Sequence, residues 1–292
     1  MQFRVESYES ITSTNDRIKQ AIEAGEPEGL AVRSLRQTAG YGRQGRAWES
    51  PLGGMYQSFL LRPDVSPAQL PTLSLLVGLA VRRAVADLLP ELAGRLQVKW
   101  PNDLVVAPVD EAGTAGSRRA PHIAAGVPDV GDAAVAASAA PHAADHSPRP
   151  FLKLGGISSE LHAKALCVGV GINVARPAQS SPASGKNIPV FLDELGFTEG
   201  PVEQRIEAVA GALCAQLAEL YPRWCAEGFA PFARELDECS ALTGRVVSME
   251  DIEGNPISAG QVTGVAPDGR LILQTADGRE VLVASGEAHI RA

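Results

Sequence analysis

The sequence predicts a mixed α+β domain followed by a small β-barrel. Three observations predict it. Apolar residues recur at helical spacing over Leu73–Leu89, and again after Pro201 at Ile206, Val209, Leu213, Leu217 and Leu220. Strand-like runs precede and separate these segments at Leu30–Arg36, Met55–Arg62, Arg95–Trp100, Leu152–Leu161 and Ala165–Ile172. From Gly244 the texture changes to short strands at Val246–Met249, Ile257–Val265, Arg270–Thr275 and Glu280–Val283, with Asp268-Gly269 and Asp277-Gly278 as hairpin turns between them.

The first helix starts at Ser13-Thr14-Asn15-Asp16. These cap-type residues stand before apolar positions Ile18, Ala21 and Ile22, and Gly25 can end the helix. A strand, a glycine loop and a second strand follow, then the long apolar helix. Arg95–Trp100 runs into the turn sequence WPND. Residues 107–150 have another character: Ala, Pro and Gly make up more than half of them, with no Leu and no aromatic residue. Such a stretch cannot bury enough apolar surface to offset its ordering entropy, so a flexible insertion is expected. His142 and His146 within it are spaced like metal ligands, but no other ligand type clusters nearby and composition bias accounts for them. The expected domains are 1–240 and 241–292.

The 292 residues are 45% hydrophobic, the range of a soluble globular protein, and carry a net charge of -8. An acidic chain lacks the basic face that general nucleic-acid binding requires. Cys167, Cys214, Cys225 and Cys239 form no C-x-x-C pair and read as core thiols of a reducing cytoplasm. MQFRVESYES has no apolar run of a signal peptide, and the apolar stretch near Leu70–Val81 is broken by Pro71 and too short to cross a membrane.

Against this acidic background Arg33, Arg36, Arg43 and Arg46 fall close together with no acid between them. The segment GYGRQG (Gly40–Gly45) fits the dinucleotide pattern G-x-G-x-x-G. That use needs a helix immediately after the glycines, whose N-terminus holds the pyrophosphate. Here RAWESPLGG follows, and Pro51, Gly53 and Gly54 preclude one. No G-x-x-x-x-G-K-[ST] occurs, and no VAIK or HRD segment supports a kinase-type loop. The remaining reading is a loop whose glycines let backbone amides approach an anion while arginine forks bind its oxygens in pairs.

Three more segments place polar groups where apolar ones would be expected: Lys99-Trp100-Pro101-Asn102-Asp103, Lys153-Leu154-Gly155-Gly156-Ile157 and Gly169-Val170-Gly171-Ile172-Asn173. Singly, each has a bland explanation as a strand end, turn or cap. Together with STN at Ser13–Asn15 and QTAGYGRQGRAWESP at Gln37–Pro51, they give the chain its likeness to a known family: it resembles the biotin–protein ligases. The likeness covers residues 1–292 apart from the insertion.

The resemblance implies a class II aminoacyl-tRNA synthetase-like catalytic domain with an SH3-like barrel behind it. It implies ligation of biotin to a lysine of a biotin carboxyl carrier protein through biotinyl-5'-AMP, using ATP and Mg²⁺, with a homodimer allowed. Carried over residue by residue, Arg43, Lys99, Asp103 and Lys153 are the catalytic candidates. Ser13, Thr14, Asn15, Gln37, Gly40, Tyr41, Gly42, Arg43, Lys153 and Gly156 are the biotin candidates. Arg43, Arg46, Trp48, Lys99 and Asn173 are those for ATP and the adenylate. No side chain is assigned to metal; Mg²⁺ is expected on the phosphates. The chemistry suits them: a carboxylate attacking a phosphate brings two anions together, and fixed positive charge must offset the repulsion. Asp103 is expected to receive the carrier lysine.

The sequence departs from the family in three places. Tyr41 stands where many members have arginine. Arg176–Pro189, expected over the adenylate, has no aromatic residue to stack on adenine. The insertion separates Asp103 from Lys153. Two other readings are a lipoate or octanoate ligase and a biotin-sensing repressor; the latter is disfavoured because the motifs start at Ser13, leaving no room before them for a helix-turn-helix.

Overall fold

The computed structural model describes residues 1–108, 151–178 and 188–291. The expected insertion falls outside the described residues from position 109 onward, as do His142 and His146 and much of the segment expected over the adenylate.

The large unit is an eight-stranded mixed sheet in the order β1-β2-β3-β7-β6-β5-β4, with β8 beside β6. Its strands are β1 (Arg4–Tyr8), β2 (Leu30–Ser34), β3 (Gly54–Leu61), β4 (Leu96–Lys99), β5 (Asp103–Val106), β6 (Leu152–His162), β7 (Ala165–Asn173) and β8 (Ile188–Pro189). β1 runs parallel to β2 and β8 parallel to β6; the other ladders are antiparallel. The helices are α1 (Thr14–Glu23), α2 (Leu73–Leu88), α3 (Val202–Glu227) and α4 (Ala230–Glu238).

The side-chain alternation of the strands sorts the core. On one face Ala31, Met55, Phe59 and Leu61 join the buried apolar faces of α2 and α3. On the other, Leu30, Val32, Leu60, Ala165 and Cys167 pack under Ile18, Ala21 and Ile22 of α1. β3, covered on both sides, is buried throughout. This is why its sequence shows no polar alternation. α1 has only ten residues and covers only part of its face.

Two helical features extend past the sequence expectation. α3 runs through Pro222 to Glu227, with α4 following it. Trp224 anchors the last turn of α3: it is fully buried, stacks on Tyr221, donates Nε1–H to Thr72 Oγ1 at 2.8 Å and accepts from Gln69 Nε2 at 2.7 Å. Those ties hold the turn despite the backbone donor that proline lacks.

The small unit is β9 (Val246–Glu250), β10 (Pro256–Val265), β11 (Leu271–Gln274), β12 (Glu280–Val283) and β13 (Glu287–Ile290). They form an antiparallel sheet in the order β12-β11-β10-β9-β13, and no ladder between β12 and β13 closes it into a barrel. It is attached at two places. Ala241 N donates to Val98 O and Val98 N to Cys239 O, so the connection continues the large sheet beyond β4. Trp100, preceding a cis bond to Pro101, donates its buried indole N–H to Gly269 O at 3.1 Å. All four cysteines are free. Among the described residues no helix is long and apolar enough to cross a membrane.

Gly269 tests this docking. Its φ is +82°, and a Cβ there would stand 2.8 Å from Thr72 Cγ2 and 3.0 Å from Leu75 Cδ1. Gly269→Ala combines left-handed strain with overpacking, each costing about 1–3 kcal/mol. The expected outcome is a urea midpoint lowered by an amount equivalent to at least ~2 kcal/mol, whereas Gly278→Ala, which meets nothing within 4 Å, shows the strain cost alone, about 1–3 kcal/mol.

Candidate active site

The sheet face that α1 leaves uncovered is the floor of a cleft of about 880 Å³. Register explains its composition. One row across the strands is Leu60–Cys167–Glu160, under α1; the next is Ser58–Gly169–Ser158; the third is Tyr56–Gly171–Gly156–Asp103–Lys99. Apolar bulk thus gives way to serines, then to glycines flanked by charge.

The glycines are there for what lies on them. A Cβ on Gly169 would collide with Asn15 Oδ1 and come 2.7 Å from Ser158 Oγ. A Cβ on Gly171 would reach 3.0 Å from Trp48 Nε1, and one on Gly156 would reach 3.5 Å from Trp48 Cζ3. The indole therefore lies directly over two bare strands.

Lys153 reaches this face through a β-bulge. Strand alternation alone would put Lys153 and Gly156 on opposite faces. Between β5 and β6, however, Leu104 pairs with Gly155 and Val105 with Lys153, so Leu154 is an extra residue. The bulge reverses the alternation. Lys153 Nζ then sits 2.8 Å from Asp103 Oδ1 and 5.4 Å from the Trp48 ring centroid. Both members of the ion pair are largely buried.

At the other end, the start of α1 forms a polar network. Thr14 donates N–H and Oγ1–H to Gln37 Oε1 at 2.8 and 3.0 Å, and Gln37 Nε2 donates to Ser50 Oγ at 2.9 Å. Ser58 Oγ lies 2.7 Å from both Thr14 Oγ1 and Asn15 Oδ1. Beneath Asn15, burial pushes the Cys167 thiol up to about 12, and it donates to Asn15 O. Ser13 stands at the N-cap position of α1, and its buried Oγ makes no hydrogen bond among the described residues.

The glycine loop is a small hairpin. Trp48 N donates to Gly40 O and Gly42 N to Arg46 O, with a bridge between Tyr41 and Ala47. A short 3-10 turn, Arg43–Gly45, closes it, with Gln44 at φ 59° and Gly45 at 67°. No α-helix follows; the chain passes through Pro51 into β3, as the failure of the dinucleotide pattern requires. Arg43 Nη1 donates to Asn102 Oδ1 at 2.8 Å. Arg46 pairs with Glu287 of β13, and although burial opposes it, that pairing holds the Glu287 carboxyl below its ordinary value.

The fold thus brings Thr14, Asn15, Gln37, Tyr41, Gly42, Arg43, Arg46, Trp48, Lys99, Asp103, Lys153 and Gly156 to one cleft. Three sequence candidates stand behind its wall. Ser13 is buried at the helix cap. Gly40 backs onto Ser50, Gln37 and Trp48 O with no room for a Cβ. Asn173 Nδ2 donates to Lys153 O and Val190 O, tying β7 to β6 and its neighbour. Sequence reasoning missed Ser58, Ser158, Glu250, Glu287 and His289, which also line the cleft. Ser58 carried a signal, a lone hydroxyl inside the run MYQSFLL. The acids of the small unit carried none, because only tertiary docking brings them to the cleft.

Among the described residues no group of three or more His, Cys, Asp or Glu could hold a metal ion. The basic side chains Arg43, Arg46, Lys99 and Lys153 instead suit an anionic ligand, and the cleft volume suits a small molecule.

Comparison with known proteins agrees. The model of the biotin/lipoate A/B protein ligase family matches residues 7–118, and that of the biotin protein ligase C terminal domain matches residues 243–291. The bifunctional ligase/repressor BirA of Bacillus spizizenii is 26% identical over 271 residues, covering 92% of this chain and 68% of the relative. The biotin--[acetyl-CoA-carboxylase] ligase of Paracoccus denitrificans is 26% identical over 87% of this chain and 88% of its own. The fold resembles that of the biotin protein ligase from Aquifex aeolicus in complex with biotin and ATP, with a TM-score of 0.71, 24% identity and coverage of 99% and 98%. Two segments of the chain, 7–118 and 243–291, thus match the biotin/lipoate A/B protein ligase family and the biotin protein ligase C terminal domain, and the chain is similar to biotin protein ligases in sequence and fold.

Proposed function

We propose that this protein joins biotin to a lysine of a biotin carboxyl carrier protein, consuming ATP and passing through biotinyl-5'-AMP. In this reading residues 1–240 are the catalytic domain and 241–292 the small β domain. The observation that carries it is the convergence of Lys153, Asp103 and Arg43 on a glycine floor beside the Thr14–Asn15–Gln37 network.

In the first step the biotin carboxylate attacks the α-phosphorus of ATP and pyrophosphate leaves. Lys153 is placed to hold the carboxylate, because its ammonium faces Asp103 across 2.8 Å and keeps further donors for a second anion. Arg43, fixed through Asn102, supplies a planar fork between carboxylate and phosphate. Arg46 and Lys99 line the same cleft and are the candidates for the outer phosphates. Mg²⁺ accompanying the nucleotide would neutralise phosphate charge. The amide-and-hydroxyl network of Thr14, Asn15, Gln37 and Ser58 offers donors and acceptors for the polar biotin head, and the Trp48 indole gives an apolar wall.

In the second step a carrier lysine attacks the acyl carbon, the bond to phosphate oxygen breaks and AMP leaves. A lysine of ordinary pKa is neutral in only about 1 molecule in 2,500 at pH 7. Asp103, once Lys153 has turned to the acyl group, can orient the ammonium and accept its proton.

The decisive assay supplies biotin, Mg-ATP and a purified carrier domain, and reads the carrier by mass. One added biotinyl group supports the reading; a folded enzyme that adds lipoyl instead, or nothing, overturns it. Asp103→Asn is expected to slow adenylate formation or transfer by at least about tenfold, the scale of a positioned acid–base group. Wild-type rates for both steps in single-turnover assays would remove Asp103 from the mechanism. Gly171→Ala, whose Cβ would press on the Trp48 indole, is expected to raise the biotin dissociation constant about tenfold in the folded variant, measured by titration calorimetry.

A further inference from the structure

Tyr41 fastens the glycine loop to α1. Its hydroxyl donates to Asp16 Oδ1 at 2.8 Å, and Asp16 follows directly on Thr14 and Asn15 at the head of that helix. One turn later, Lys19 Nζ stands 5.2 Å from the Tyr41 ring centroid and pairs with Glu160 of β6 at 2.5 Å. Four side chains thus link the loop, the helix and the sheet. Burial, opposed by Lys19 and aided by Asp16, pushes the Tyr41 hydroxyl up to about 12, so it remains a proton donor at neutral pH.

The position of Tyr41 gives this link leverage. Across the hairpin Tyr41 is bridged to Ala47, next to Trp48, and Arg43 lies two residues further along. A bond from a phenol to a carboxylate belongs to the stronger, charge-assisted class. The carboxylate is itself favoured where it sits, in the first turn of a helix, beside the positive end of the helix dipole.

The geometry points to Asp16 as a positioning residue for the ligation: acting through Tyr41, it fixes the loop so that Arg43 stands at the cleft before substrate arrives. Asp16 itself does not touch the reacting atoms. The inference rests on the proposed reading of the cleft as the biotin and ATP site.

Two measurements on the full chain test it. Trypsin can cut the loop after Arg43 and Arg46, which reports loop order without any ligand. Asp16→Ala and Tyr41→Phe should each raise the initial cutting rate at these two sites about tenfold, with cutting after Arg223 and Arg234 unchanged. Asp16→Asn keeps a carbonyl acceptor and should stay within about threefold of wild type. The double variant Asp16→Ala/Tyr41→Phe should match the single ones, since all remove one bond. In ligation assays the KM for biotin should rise about tenfold while kcat stays within about twofold, because binding must then re-form the loop.

Wild-type cutting rates, or additive effects in the double variant, would overturn the brace. Loosened loops with an unchanged biotin KM in an active ligase would overturn the positioning role. A chain that neither binds nor ligates biotin would sink the proposed function, and the trypsin rates would still decide whether Asp16 holds the loop.

Discussion

The ion pair between Lys153 and Asp103 is the contact on which the cleft depends. Each member sits in a surface that would otherwise be apolar sheet, and each makes the other tolerable there. Lys153 Nζ and Asp103 Oδ1 stand 2.8 Å apart, so opposite charges meet directly on the floor of the cleft. Lys153 keeps further donors beside that contact, which can be shared with an incoming anion. The bulge at Leu154 makes the meeting geometrically possible. A one-residue slip in β6 without that bulge would send Lys153 to the α2 and α3 side, where the core is packed.

The second constraint is emptiness. α1 is too short to cover its face of the sheet, and the uncovered rows are built from serine and glycine. The indole of Trp48 and the amide of Asn15 lie on the backbone itself, where any Cβ would intrude. The cleft is therefore not a gap between packed bodies but a strip of sheet kept deliberately thin. The cationic groups around it come from the glycine loop, β4 and β6, which is how a chain of net charge -8 can present a local positive field.

Much of this was legible from the residues. Helical spacing located α2 and α3, and the stretch RAWESPLGG excluded the dinucleotide loop before any coordinate did. The order of STN, the glycine loop, KWPND, KLGGI and GVGIN carried the family. What escaped had physical reasons. β1 is an edge strand whose residues are largely exposed, so it shows no apolar run. The helix past Pro222 depends on Trp224 being gripped by Gln69 and Thr72, a tertiary tie. The KLGGI segment named Lys153 but not the bulge that aims it. Asn173 Nδ2 donates to two backbone carbonyls, a tie between strands that its motif does not reveal. Asp16 read only as a helix-start residue, because its partner Tyr41 is twenty-five positions away.

The account turns on two anions being brought together at Lys153 and Arg43, so the first half-reaction tests it most directly. Biotin-dependent exchange of labelled pyrophosphate into ATP, with no carrier present, isolates that step. The account predicts exchange that requires biotin, is abolished by Arg43→Gly and falls at least about tenfold in Lys153→Met. Exchange driven by lipoate or octanoate but not biotin, or biotin-dependent exchange that survives both substitutions, would contradict it.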